Sequence, residues 1–212
     1  PSSLTTTAAV AVGDLDGNNL DDIVFGNTSG APLEILLRTD PTTFTPIGAP
    51  SLIGTSTVSA LAIHDVDGDA DLDVIVGGGP AGTGSASHLL LNDGNASFTP
   101  TALSAPGLST PPVGNIAIGD VDGDGDPEIA LANSGIPDFN AWTLTDTYYE
   151  NQGGGQFVVS PMLQGAVGSF ANLNTAYAQN LEFQPTDDIA FADLDGDGDV
   201  DMVHGDTGQN LS

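Results

Sequence analysis

Four times along its 212 residues the chain crowds acidic side chains onto alternate positions of a nine-residue stretch and then turns at once into an apolar run. Positions 1, 3, 5 and 9 are Asp14, Asp16, Asn18 and Asp22 in the first stretch and Asp65, Asp67, Asp69 and Asp73 in the second. They are Asp120, Asp122, Asp124 and Glu128 in the third, and Asp193, Asp195, Asp197 and Asp201 in the fourth. Like charges this close repel unless a cation sits among them. Ca²⁺ takes six to eight oxygen ligands, and a tightly curled loop with oxygens on alternate residues surrounds it. Position 7 (Leu20, Asp71, Asp126 and Asp199) then offers its main-chain carbonyl, so a leucine is acceptable there. Gly17, Gly68, Gly123 and Gly196 at position 4 permit the backbone angles such a curl needs.

The leading aspartates are 51, 55 and 73 residues apart, which marks an internal repeat. In each unit an apolar, β-branched run enters the loop and a second one leaves it, as in "IAIGDVDGDGDPEIALAN". This pattern predicts two antiparallel strands joined by the loop. Runs such as "EILLRTDPTTFTPIG" and "HLLLNDGNASFTPTAL" add a second strand pair around a turn. Four-stranded units at this spacing predict an all-β fold, a β-propeller or partial propeller of about three and a half blades. The units span about 8–50, 58–104 and 113–163, with an insertion at about 164–186 and a partial fourth unit at about 187–212. A short helix is expected only within 168–183.

Charge narrows the partners. Asp and Glu number 29 against one base, Arg38, for a formal net charge of -28, which disfavours nucleic acid and direct membrane insertion. Most of the acids lie in the four loops, and a 39% hydrophobic content arranged in regular runs argues against a disordered acidic tail. Cysteine is absent, so disulfides and thiolate metal sites are excluded. A start at Pro1 reads as a processed or excerpted product.

The four "D-x-D-G-[DN]-x-x-x-[DE]" loops, each between apolar strands, resemble the FG-GAP/VCBS repeats of integrin α-subunit propellers and of many secreted microbial and fungal proteins. The resemblance implies a calcium-binding propeller with up to four Ca²⁺ ions, held at the loop positions named above. Loop one departs from the pattern with Asn18, which carries one charge less, and loop three with Glu128. Such propellers usually have more blades than this chain encodes, so either the chain is part of a longer protein, the simpler reading, or other protein chains, including copies of itself, complete the ring or build a fibre.

No nucleophile elbow, phosphate loop or zinc-binding helix motif occurs, so an enzyme is not expected. His64, His88 and His204 fall at different places in their repeats and form no triad. Trp142, Tyr148 and Tyr149 are candidates either for core or for a glycan-stacking surface. Acceptor sequons stand at Asn27, Asn95 and Asn210 and fit an extracellular or cell-surface location. The expected function is therefore a calcium-stabilised extracellular binding or structural module for adhesion or assembly. The alternatives are a carbohydrate-binding lectin and the accessory propeller of a secreted hydrolase.

Overall fold

The computed structural model of the chain describes residues 6–29, 31–52, 54–79, 86–103, 112–133, 146–159 and 186–206 other than 197 and 199. The described residues form fourteen strands and no helix. Strands β1 (Thr7–Gly13), β2 (Asp22–Asn27), β3 (Leu33–Asp40) and β4 (Thr43–Ile47) make one antiparallel sheet in chain order. The next sheet repeats this with β5 (Val58–His64), β6 (Asp73–Gly78), β7 (Ser87–Asn92) and β8 (Phe98–Leu103). A third holds β9 (Val113–Gly119), β10 (Glu128–Asn133), β11 (Thr147–Asn151) and β12 (Phe157–Val159). Two further strands, β13 (Thr186–Ala192) and β14 (Asp201–Asp206), pair with each other. The region 168–183, where a helix is expected, lies outside the described residues, as do Trp142 and Asn210.

Register places each acidic loop as a hairpin. The first two strands of every unit close on the pairs Gly13 with Asp22, His64 with Asp73, Gly119 with Glu128 and Ala192 with Asp201. Position 9 of the loop is thus also the first residue of the second strand. In the second and third units that strand is covered on both faces. Accordingly β6, "DVIVGG", reads as a continuous apolar run and is buried throughout.

The sheets stack as successive blades of a partial propeller. Strand β1 lies against β5, β5 against β9, and β9 against β13, so the inner strands line a common axis. Close approach there needs small residues: a Cβ on Gly26 would collide with Val58 of the next blade, and one on Gly77 with Val113. Between blades one and two the core includes Leu15, Val24, Ile35, Val58, Val74 and Leu90. Between blades two and three it includes Val66, Ile75, Leu89, Ile129, Leu131 and Tyr149. Each such side chain contributes about 1.5–3 kcal/mol when fully buried, so stability resides between blades as much as within them.

Candidate metal loops

Each loop is folded around its first carboxylate. In loop one Asp14 accepts the amide N–H groups of Asn18 at 3.1 Å and Asn19 at 2.7 Å. Asp65 takes those of Gly68 (2.9 Å) and Ala70 (3.0 Å), and Asp193 those of Gly196 (2.7 Å) and Gly198 (3.1 Å). Asp120 takes Gly123, Asp124 and Gly125 at 2.8, 3.1 and 3.0 Å. To turn its amides inward the backbone visits the left-handed region twice. Position 4 is always glycine, but position 6 is Asn19 (φ 65°) and Ala70 (φ 74°) in the first two loops and Gly125 and Gly198 in the last two.

The last carboxylate closes the loop and ties it to the sheet. Asp22 accepts the N–H of Leu15 in its own loop (2.8 Å) and that of Arg38 in β3 (2.6 Å). Asp73 does the same with Val66 (2.9 Å) and Asn92 (2.8 Å), and Glu128 with Val121 (2.7 Å) and Asn151 (3.4 Å). These three carboxylates are buried, Asp22 and Asp73 completely. Burial raises the Asp73 carboxyl from 3.8 to about 6, opposed by its two amide donors. Asp22 and Glu128 are pushed up for the same reason, with a smaller addition from neighbouring loop aspartates. Desolvation followed by the nearby Asp69 raises Asp67 as well. In loop four Asp201 accepts only the Leu194 N–H (3.0 Å) among the described contacts and is exposed.

The loops bring together carboxylate oxygens from positions 1, 3 and 9. In each of the four sets, Asp14/Asp16/Asp22, Asp65/Asp67/Asp73, Asp120/Asp122/Glu128 and Asp193/Asp195/Asp201, the oxygens lie within 4.8 Å of one another. The donors are all hard oxygens, the kind that suits an alkaline-earth cation rather than a soft metal. Among the described residues no arginine or lysine stands among them: the Arg38 guanidinium donates to the Pro41 carbonyl (2.8 Å) and lies 5.9 Å from the centre of the Phe44 ring. The donor set therefore fits a metal ion. Position 5 points its oxygen at the amide of position 7, as Asn18 does to Leu20 (2.8 Å), Asp69 to Asp71 (2.9 Å) and Asp124 to Asp126 (2.9 Å). Asp197 and Asp199 lie outside the described residues.

Two contributions went unseen in the sequence. Position 2 is a knob: Leu15 and Val66 are fully buried in the cores shared with the following blade. Asparagines at the ends of the third strands then meet those knobs. The Asn92 side-chain amide donates to the Leu15 carbonyl of the preceding blade's loop (2.8 Å) and to Leu72 of its own (3.0 Å). Asn151 does likewise with Val66 (2.8 Å) and Pro127 (3.2 Å). The signal was the "LLLN" and "YYEN" strand ends, but blade one carries Arg38 at that place and hides the pattern.

Other candidates resolve differently. His88 is buried with its ring nitrogen 3.0 Å from the Thr55 hydroxyl, and His64 is exposed. Tyr148 and Tyr149 are core residues, 1% and 4% exposed, so of the two readings core is the one observed and no stacking surface is built from them. The sequon asparagine Asn27 is buried and held by Thr7 and Ala31, so the folded chain does not present it to a glycosylating enzyme. Asn95 stands exposed on a turn.

A profile of the FG-GAP-like repeat matches residues 14–76 and 65–131, two overlapping spans that begin on the first aspartates of loops one and two and together take in more than half of the chain. The chain belongs to the FG-GAP-like repeat family. The match joins the acidic loop of each FG-GAP-like repeat to the strands that follow it. No curated protein sequence matches the chain. Among solved structures, it is similar to a lectin of Agrocybe aegerita described for specific recognition of non-reducing terminal N-acetylglucosamine. Identity is 19% and the TM-score 0.40 over 71% of this chain, which spans 37% of that one.

Proposed function

We propose that the chain is a calcium-stabilised extracellular module whose work is adhesion or assembly through its blades, and that it is not an enzyme. The observation that carries the assembly reading is a match between two open faces. Val10 and Val12 of β1 stand where β5 has Leu61 and Ile63 and β9 has Ile116 and Ile118, side chains that pack on the preceding blade's core. In β1 these valines are 58% and 57% exposed. On the opposite side Leu194 and Val203 stand where Leu15 and Val24 are fully buried against a following blade, yet they are 65% and 43% exposed. The two faces are the complementary halves of an interface built repeatedly inside the chain. Complementary faces of this kind join head to tail, into a ring if the rotation closes and a filament if it does not. A second copy of the chain, or further blades of a longer one, supplies a suitable blade for each.

Calcium would be held by the carboxylates at positions 1, 3 and 9, whose close approach a divalent cation makes tolerable; loop carboxylates of this kind suit the weaker affinities of extracellular modules. Glycan binding and attachment to a hydrolase are the other readings; Tyr148 and Tyr149, candidates for a stacking surface in the first, are core residues. Sedimentation velocity of the chain in millimolar calcium and in chelator tests the proposal. We expect larger species in calcium, lost on Val12→Asp or Leu194→Asp, and a higher melting temperature with calcium in every variant. A monomer at all concentrations would sink assembly; an unmoved melting temperature would sink the calcium reading.

A further inference from the structure

A continuous run of hydrogen bonds links the first three loops, and it passes through two buried asparagines. From the Asp22 carboxylate it goes to the Leu15 N–H, across that residue's peptide framework to its carbonyl, and on to the Asn92 side chain. The Asn92 N–H then reaches Asp73, whose other oxygen takes the Val66 N–H. The Val66 carbonyl meets the Asn151 side chain, and the Asn151 N–H reaches Glu128. Asn92 and Asn151 are 5% and 2% exposed. Each therefore holds the closing carboxylate of its own loop with its backbone and the knob of the preceding loop with its side chain.

We propose that Asn92 and Asn151 are positioning residues that couple the metal loops of successive blades, so that loops one to three fill as one cooperative set. The proposal rests on the calcium reading above. Its physical basis is shared ordering: an ion that fixes Asp22, Asp73 or Glu128 also fixes the peptide to which the next asparagine is bonded, and the next ion then has less to order. The packing of neighbouring turns supports it. A Cβ on Gly155, in the turn after Asn151, would come 3.1 Å from Asp67 of the preceding blade's loop, and the Ala96 N–H, in the turn after Asn92, donates to the Leu15 carbonyl of the loop before it (3.0 Å). The run of bonds takes in loops one to three; among the described residues no third-strand asparagine reaches Val121 or Asp201, so the proposal is made for those three loops.

Calcium calorimetry on the whole chain, Asn92→Ala, Asn151→Ala and the exposed control Asn95→Ala tests this. Asn92→Ala keeps the backbone bond to Asp73 and loses the side-chain bonds to Leu15 and Leu72, with the Ala96 N–H still on the Leu15 carbonyl; Asn151→Ala keeps the backbone bond to Glu128 and loses the side-chain bonds to Val66, Pro127 and the Gly153 N–H. In the unaltered chain we expect one steep transition for three ions and a separate, weaker one for loop four. In Asn92→Ala loop one should separate from the set and weaken about five-fold or more, and in Asn151→Ala loop three should separate; Asn95→Ala should match the unaltered chain. Three independent hyperbolic sites in the unaltered chain, or unchanged isotherms in both variants, would overturn coupling while leaving calcium binding in place. No heat or saturable binding in the unaltered chain would overturn the calcium reading and coupling with it. If the alanine variants fail to melt cooperatively, Asp16→Asn asks the same question with both asparagines intact. Amide exchange across 65–73 at sub-saturating calcium should then quicken, and unchanged protection there would refute the coupling.

Discussion

Loops two and four are nearly the same sequence, "DVDGDADLD" and "DLDGDGDVD", yet they sit in different surroundings. In loop two the closing Asp73 is wholly buried and bonded by two amides, and the knob Val66 is sealed in the core of the next blade. In loop four Asp201 is exposed, and the equivalent knob Leu194 is 65% exposed. Both still gather three carboxylates within 4.8 Å. The motif alone therefore makes the curl and the oxygen cluster. Burial and bracing come from the third strand and the following blade. In this chain the buried, braced form of the loop is thus built by two blades, and the sequence of the loop reports on only one of them.

The sharpest way to break the comparison is to remove the closing carboxylate in each loop. Asp73→Ala strands two buried amides, those of Val66 and Asn92, at about 1–3 kcal/mol each, so a loss of about 2–6 kcal/mol is expected in urea unfolding. Asp201→Ala should cost less than about 1 kcal/mol. Equal losses would mean that bracing does not distinguish the loops. Truncating the knobs comes next. Leu15→Ala empties a buried position shared by two blades and should cost about 2–4 kcal/mol, whereas Leu194→Ala should lie within about 0.5 kcal/mol of the unaltered chain.

The buried carboxylate also gives loop two a pH signature. Because Asp73 titrates near 6 when folded and at an ordinary 3.8 when unfolded, the folded chain binds the extra proton between those values. In chelator its contribution is then fully present at low pH and is lost as pH rises through about 6, a fall of roughly 2–3 kcal/mol. If calcium binds as proposed, the sign reverses, since the ion needs the carboxylate ionised and displaces that proton. Melting curves at pH 4, 5, 6 and 7, with and without calcium, should therefore diverge as pH rises. Asp73→Asn, which removes the titrating group, should flatten the fall in chelator.

How much of this could be read beforehand follows from distance along the chain. The acid spacing and the alternating runs are local, so the strands, the hairpin loops and the blade repeat were legible. Asn92 and Asn151 act on residues 77 and 85 positions away, and their shared place at the end of a third strand repeats in only two blades, because blade one carries Arg38 there. Asn27 is the reverse case, because its sequon is a local pattern, while its burial depends on the pairing of β1 with β2 and on the turn at Ala31. Tyr148 and Tyr149 were legible as strand residues, but the choice between core and surface needed the neighbouring blade.

The smallest expected effect separates the two loops at position 6. Loop two places Ala70 at φ 74°, where a Cβ crowds the following carbonyl, while loop four places Gly198 at φ 97°. The left-handed conformation costs a residue with a side chain about 1–2 kcal/mol, and glycine returns about 0.5–1 kcal/mol of that as extra unfolded-chain entropy. Ala70→Gly should therefore stabilise the folded chain by only about 0.5 kcal/mol, measured as a shift in denaturant midpoint at constant slope. Gly125→Ala, made in the braced loop three at the same φ of 97°, should cost at least about 1 kcal/mol. If both substitutions were neutral, the curl would be loose enough to relax at position 6, and the amide bonds from that position to Asp65 and Asp120 could not be what sets the loop's shape.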